Sequence, residues 1–316
     1  MKNAEISLGC PKPLKPGVDP AIPADSVDAP APAPEGYKRI DRVLGPMAAG
    51  SFLLGSLGYL HCTRRHVIKN MALPRAACVL ILEGSKAVHR DDVREVVQAG
   101  QLLLLPARWP ITIENVPAVR SGRYRALCLS FDPDIVARVA AASPADTITG
   151  QPRGMRLTPS GLLLDALLHL LVVAKAHPGT PRLTEVGLEQ LLLLLAAEGG
   201  GLLLQSELPL LDRISSLVLA DAARRWDTAE IAQALSLGER TLRRRLEKAG
   251  ASLRDIMRET RLHAALALLQ QSTLCVGEVA QRCGYDSASR FTQRFREKFG
   301  LRPSDIIRAR ASRDRD

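Results

Sequence analysis

The sequence predicts an α+β protein in which an antiparallel β-domain precedes an all-α domain. From about residue 37 to 135, short apolar runs recur roughly every ten residues and are separated by Gly, Pro and charged residues, a pattern typical of an antiparallel barrel or sandwich. From about residue 133 onward, apolar residues recur at helical spacing. An approximate repeat of about 48 residues, seen in Ile231-Ala232-Gln233 and Val279-Ala280-Gln281, lies in the last third.

Length and charge narrow the function classes. The chain has 316 residues, 46% of them hydrophobic, and a formal net charge of +10, which is enough for two domains and excludes global disorder. Residues 208–316 hold 21 Lys and Arg against 14 Asp and Glu, a net charge of +7. This basic third favours a polyanionic partner such as nucleic acid or a membrane surface, although charge alone fits a solvated basic surface equally well.

Cysteine spacing and hydropathy indicate the cellular compartment of the protein. The six cysteines contain no C-x-x-C pair, which excludes a disulfide framework and a zinc site of common spacing. The N-terminal residues contain no apolar signal segment, so we expect a cytoplasmic protein. The most apolar windows, Gly161–Ala174 and Leu188–Ala197, are shorter than the roughly 20 residues of a membrane span, which indicates buried core helices.

The predicted organisation has three parts. Residues 1–36 contain eight prolines and are predicted to form a poorly ordered arm. Residues 37–206 form the β-domain together with two Leu-rich helices. We expect Gly199-Gly200-Gly201 to end the second helix as a stop and hinge. Two interpretations of these helices stay open, because their broad apolar faces suit either capping of the barrel or dimerisation.

The third part, residues 207–316, is predicted to hold two helix-turn-helix units. The first spans about 227–250, with Asp227 or Thr228 as helix cap and Ser236-Leu237-Gly238 as the turn. The second spans about 276–300, with Gly284-Tyr285-Asp286 as the turn. A helix over about 252–271 connects them and would span roughly 30 Å. One turn of B-DNA is about 34 Å, so the connector could hold two recognition helices against successive major-groove segments.

The second helix of each unit is rich in side chains that bind DNA. Arg can bond guanine in bidentate fashion, Gln can bond adenine, and Arg and Lys can hold phosphates. The first helix presents Arg240, Arg243, Arg244, Arg245 and Lys248, and the second presents Arg290, Gln293, Arg294, Arg296 and Lys298. Basic amphipathic helices also occur on ordinary surfaces. Their repetition in register after a turn favours DNA binding.

Residues Thr228 to Arg308 resemble the AraC/XylS family of bacterial transcription regulators. The motifs that carry the resemblance are Ile231-Ala232, Arg243-Arg244-Arg245-Leu246, Cys283-Gly284-Tyr285, Arg290-Phe291-Thr292-Gln293-Arg294-Phe295-Arg296, Phe299-Gly300 and Pro303-Ser304. The resemblance implies base-edge contacts at Arg240, Arg243 and Arg244 in the first unit and at Ala288, Ser289, Arg290 and Gln293 in the second. Gln293 stands where the family often has Arg, and Ile307 stands where it often has an aromatic residue.

The N-terminal region is similar to the effector domain of the same family, through Cys78–Lys86 and Ala99–Pro106. This similarity implies a cupin-like barrel that senses a small molecule, dimerises, or does both. It also implies promoter DNA and RNA polymerase as partners, with activation the commoner outcome in the family.

The sequence contains few residues suited to other chemistry. The six histidines show none of the H-x-H, H-x-x-x-H or H-E-x-x-H spacings, so we expect no metal, no cofactor and no enzyme activity. Arg64, Arg65 and His66 are candidates for an acidic effector, although a solvated strand edge explains them as well. The two alternatives are a barrel enzyme with a nucleic-acid tether and a module whose basic helices dock onto an acidic protein.

Overall fold

The computed structural model describes residues 35–44, 56–90, 93–144, 154–205 and 209–310. The predicted N-terminal arm lies outside these residues, apart from its last two positions, which begin a helix. This helix, α1 (Glu35–Leu44), was not predicted. Its Ile40 and Leu44 are fully buried, and Arg39 lies 3.3 Å from Asp165 on a later helix.

Antiparallel strands form the N-terminal domain in two sheets, of order β1-β8-β3-β6-β9 and β2-β7-β4-β5. The strands are β1 (Leu57–Cys62), β2 (His66–Met71), β3 (Ala77–Glu83), β4 (Ser85–Arg90), β5 (Val93–Gln98), β6 (Leu102–Leu105), β7 (Ile111–Val116), β8 (Tyr124–Ser130) and β9 (Arg156–Leu157). Gly84 joins β3 to β4 at a φ of 79°, and a Cβ there would collide with the carbonyl oxygen of Val116, so only glycine fits this turn.

The Leu-rich helices pack on this domain as α3 (Gly161–Ala176) and α4 (Pro181–Leu195), after α2 (Pro133–Ala142). Ser160 caps α3 by accepting a hydrogen bond from the Leu163 backbone. After α4, a π-helical turn (Ala196–Gly200) and a 3-10 helix (Gly201–Leu204) carry the chain back into the core. The run Pro181–Leu204 is long and apolar enough to cross a membrane by composition, but half of its most apolar window is buried, as in a core helix.

The C-terminal domain is helical throughout its described length. Its helices are α5 (Pro209–Ala220), α6 (Thr228–Ala234), α7 (Glu239–Lys248), α8 (Leu253–Gln271), α9 (Val276–Arg282), α10 (Ala288–Phe299) and α11 (Pro303–Arg310). Local signals set their ends. Asp227 and Glu230 form a capping box at α6, and Gly300 ends α10 in the left-handed conformation at a φ of 78°.

Two apolar cores support the C-terminal domain. The first helix-turn-helix unit has its own core, which includes Leu211, Ile214, Ile231, Leu242 and Leu246. The second unit shares a continuous core with the barrel. This shared core passes through α8 and includes the helical residues Leu266, Phe291, Phe295, Phe299, Ile306 and Ala309. The predicted α+β fold class is therefore confirmed. The sharing of one core between the barrel and the second unit is a feature that was not predicted.

Candidate nucleic-acid interface and interdomain cavity

The first unit positions its recognition helix through a tight turn between α6 and α7. Ile231 and Ala232 anchor α6 in the core, and the backbone N–H of Leu237 donates to the carbonyl of Ala232 at 2.8 Å. Ser236 adopts a φ of 55°, a left-handed conformation that most residues avoid. Leu242 and Leu246 then fix the buried face of α7.

The opposite face of α7 is exposed and basic. None of its cationic side chains forms an ion pair with a carboxylate among the residues that the structure describes. The exposed side chains are those predicted from the sequence, namely Arg240, Arg243, Arg244, Arg245 and Lys248. They are therefore available to an external anion.

The second unit repeats this arrangement with aromatic packing. The backbone N–H of Tyr285 donates to the carbonyl of Ala280 at 2.9 Å, the equivalent of the turn bond in the first unit. The buried stripe of α10 consists of Phe291, Phe295 and Phe299. The ring centroid of Phe295 lies 5.6 Å from that of Phe291 and 4.7 Å from that of Phe299. The N-terminal turn of α10, at Ala288, Ser289 and Arg290, is exposed together with Gln293.

Several polar side chains of α10 already have partners. Gln293 donates to Glu297 at 2.9 Å, and Arg294 donates to the same carboxylate at 3.1 Å. Lys298 forms a 2.9 Å ion pair with Glu259 on α8, and its side chain is only 20% exposed. Arg290 and Arg296 are exposed and form no ion pair with a carboxylate in the described ranges, so these two cations of α10 are best placed for an external anion.

A cavity of about 710 Å³ lies between the barrel and the helical domain, a volume within the range of small-molecule sites. The barrel wall includes Leu60, Val79, Lys86 and Ile113, and the helical wall comes largely from α8, including His263 and Leu266. Most lining side chains are apolar, and the polar or charged ones include Lys86 and His263 together with Arg75, Asp221 and Arg282.

Lys86 is a buried cation on the barrel wall. It is 2% exposed, its Nζ donates to the side-chain oxygen of Asn115, and it lies 5.2 Å from the centroid of the Tyr124 ring. No carboxylate within the described ranges pairs with it. Burial lowers the pKa of Lys86 to about 8, against the opposing influence of the Cys128 and Cys62 thiols. An acceptor group in the cavity would supply the missing partner.

The three residues predicted to bind an effector lie elsewhere. Arg64 is exposed in the turn between β1 and β2, and Arg65 pairs with Glu114. His66 lies 3.0 Å from the carbonyl of Arg64 and 3.1 Å from the side-chain nitrogen of Asn115. None of the three lines the 710 Å³ cavity. Lys86 gives no clear signal in the sequence, because its strand β4 also carries Ser85, His89 and Arg90.

Among the described residues, no group of three or more His, Cys, Asp or Glu side chains is placed to hold a metal ion.

Residues 59–201 match the family profile described as AraC-type transcriptional regulator N-terminus, and residues 231–309 match the profile described as helix-turn-helix domain. The chain belongs to the AraC/XylS family. This family consists of transcriptional regulators and not enzymes, which removes the barrel-enzyme alternative.

Relatives of this AraC/XylS chain include bacterial activators. The urease operon transcriptional activator of Escherichia coli is 31% identical over 102 residues, covering 32% of this chain and 34% of the relative. The virulence regulon transcriptional activator VirF of Shigella flexneri is 32% identical over 98 residues, covering 31% and 37%. The chain thus spans about a third of the length of these relatives.

A solved structure supports the fold over most of the chain. ToxT of Vibrio cholerae strain SCE256, solved with an unsaturated fatty acid bound, has a TM-score of 0.53 and 14% identity, and the match covers 81% of this chain and 95% of ToxT. A 1.65 Å structure of ToxT gives a TM-score of 0.54 at 13% identity. The likeness establishes the fold of barrel followed by helical domain.

Proposed function

We propose that this protein is a sequence-specific DNA-binding transcription regulator that acts in the cytoplasm. The observation that carries the proposal is the pair of helix-turn-helix units, each with an exposed Arg-containing second helix. A net charge of +7 over residues 208–316 supports attraction to a polyanion. The acidic-protein docking alternative has no comparable support, because it does not explain the repeat.

We assign the contacts with base edges to exposed residues near the start of each recognition helix. In the first unit these are Arg240, Arg243 and Arg244, and in the second they are Ala288, Ser289, Arg290 and Gln293. We assign phosphate contacts to Arg245, Lys248, Arg294, Arg296 and Lys298. Gln293 and Arg294 would first have to release Glu297, and Lys298 would have to release Glu259, which weakens their contribution relative to Arg296.

We infer activation as the outcome, through contact with RNA polymerase at the promoter. The support is that relatives 31% and 32% identical over 102 and 98 residues are described as activators.

A second copy of the chain is the proposed partner of α4. Leu183, Val186 and Leu193 are 43%, 49% and 42% exposed. Together with exposed Gln190 and Ala197, they recur at intervals of three and four residues, which is the spacing of a coiled-coil seam. A seam of this kind buries its apolar residues against a matching helix, so a homodimer through α4 explains their exposure.

The cavity between barrel and helices is the proposed effector site. Its walls are mostly apolar, and Lys86 offers a cation that lacks a carboxylate partner in the described structure. We propose a small molecule with an apolar body and an acceptor head group that binds Lys86. ToxT, which shares the fold, was solved with an unsaturated fatty acid. Arg64, Arg65 and His66 remain candidates for a separate acidic effector at the β1–β2 turn.

Selection of the full-length protein on random duplexes, followed by sequencing, tests the DNA-binding function. We expect two short motifs about one helical turn apart. Arg244→Ala should then reduce the ratio of operator to random binding, at a cost of about 1–3 kcal/mol. Arg254→Ala, an exposed arginine at the start of α8, is the matched control and should leave the ratio unchanged. Salt-sensitive binding to every duplex without enrichment would refute the proposal.

A further inference from the structure

His263 is a buried polar side chain on the helical wall of the cavity. It is 5% exposed, and neither ring nitrogen has a hydrogen-bond partner in the part of the chain that the structure describes. The imidazole ring of His263 packs edge to face against the ring of Phe299, with the two ring centroids 5.2 Å apart. Buried polar groups in proteins are nearly always hydrogen-bonded, and His263 lines the interdomain cavity, from which a ligand can supply a hydrogen-bond partner.

The charge state of His263 limits the chemistry of that partner. Burial lowers the pKa of His263 to about 3, and the nearby cations of Lys298 and Arg108 act in the same direction. The imidazole is therefore neutral and carries one N–H donor and one acceptor nitrogen. An ammonium group can only donate a hydrogen bond and a carboxylate can only accept one, so each fits only one of the two ring nitrogens.

A hydroxyl group both donates and accepts a hydrogen bond, so it can bond whichever ring nitrogen of the neutral imidazole faces the cavity. We propose that His263 binds a hydroxyl group of the cavity ligand, and that this ligand is a hydroxylated aliphatic acid whose acidic head binds Lys86. The two contacts lie on different walls, Lys86 on the barrel and His263 on α8, and most of the other lining side chains are apolar. This inference rests on the proposed effector function and names the class of the effector.

The position of His263 links the site to the second recognition helix. Phe299, which His263 contacts, is the last residue of α10. Lys298, beside it, pairs with Glu259 on α8, the helix that carries His263. A ligand that orders His263 therefore acts one side chain away from α10, and its binding should change the affinity of the protein for DNA.

Titration calorimetry on the full-length protein tests the site. The probes are straight-chain carboxylic acids of increasing length and the matching acids with a terminal hydroxyl. At the length that spans the cavity, we expect the hydroxy acid to bind about threefold to tenfold more tightly than the plain acid, the value of one hydrogen bond. His263→Phe should abolish this preference. Lys86→Met should weaken both acids while the preference persists.

A readout that needs no variant protects the test against misfolding of His263→Phe. Imidazole nitrogen chemical shifts of the wild-type protein should change on addition of the hydroxy acid and change little with the plain acid. Equal affinities at every length, a preference that survives His263→Phe, or binding of neither acid series would overturn the proposal. Selection of a DNA motif by the same protein preparation separates these outcomes from failure of the regulatory function, since that selection involves no ligand.

Discussion

Arg108 of the barrel and Asp212 of α5 form a buried ion pair across the interface between barrel and first helix-turn-helix unit, with side-chain exposures of 20% and 5%. The guanidinium of Arg108 also donates to the carbonyl of Leu211 and, at 2.6 Å, to Ser215. Ser215 in turn accepts a hydrogen bond from Thr260 on α8 at 3.0 Å. Arg108 adopts a φ of 63°, a conformation rare for a residue with a side chain, so the loop accepts backbone strain to make these contacts.

Removal of this contact should destabilise the protein. We expect Arg108→Ala to lower the free energy of unfolding by about 3 kcal/mol, because it removes the ion pair with buried Asp212 together with the hydrogen bonds to Leu211 and Ser215. Urea unfolding followed by circular dichroism measures the change. Arg138→Ala is the control, since its pair with Glu189 is more exposed and should contribute much less to stability. Equal losses in both variants would show that the Arg108 network contributes no more than a surface pair.

Two cations of α10 should differ in their contribution to DNA binding. Arg296→Ala should reduce the slope of log affinity against log salt by about 1, as expected for one lost phosphate contact. Lys298→Ala should change that slope less, because its ammonium group is held by Glu259 at 2.9 Å. Fluorescence anisotropy over a salt series measures both slopes. A larger effect for Lys298 would mean that this ion pair opens on DNA.

Lys86 should make stability depend on pH in the alkaline range. Its pKa is lowered from 10.5 to about 8 in the folded protein, so between these values the unfolded chain binds the extra proton. Stability contributed by this residue therefore rises with pH across that window, is complete above 10.5, and is lost as the pH falls through 8. Lys86→Met should accordingly be more stable than the wild type at about pH 7, with a smaller advantage at about pH 10.

Urea midpoints of the wild type and Lys86→Met at the two pH values check this prediction. Lys175→Met, which replaces an exposed lysine on α3, should show no such change with pH. An advantage of Lys86→Met that is the same at both pH values would contradict the lowered pKa.

The seam on α4 should determine the oligomeric state. Leu193→Glu places a charge in the centre of the proposed coiled-coil contact and should convert a dimer to a monomer, measured by sedimentation velocity. Val119→Glu is the control, because Val119 is fully exposed in the loop between β7 and β8, away from the helices. A wild-type protein that is monomeric at all concentrations, or a dimer that survives Leu193→Glu, would refute the seam.

The helix-turn-helix units were predictable from sequence because local signals define them. The cap at Asp227, the turn at Ser236 and the glycine at Gly300 each act within a few residues, and the structure places helix ends beside all three. The alternating and periodic apolar patterns likewise predicted the α+β class, because burial on one face imposes a period on the chain.

The remaining features depend on contacts that no local pattern encodes. Helix α1 is short and follows a proline-rich segment, and packing of Ile40 and Leu44 on the core stabilises it. The cavity has one wall from the barrel and another from α8, more than a hundred residues later in the chain. Lys86 and His263 therefore line one cavity only in the folded protein, where the two domains pack together. Residue type alone indicated Arg64, Arg65 and His66 as candidates.

The unequal attachment of the two units to the barrel has a consequence for the operator. The second unit is continuous with the barrel core, and the backbone N–H of Thr63 donates to the carbonyl of Ala309 at 2.9 Å. The first unit has a separate core and a polar interface centred on Arg108. When the distance between two half-sites varies, we therefore expect the first unit to tilt relative to the barrel. The second unit should keep a fixed orientation to the barrel and so determine the position of the barrel on the promoter.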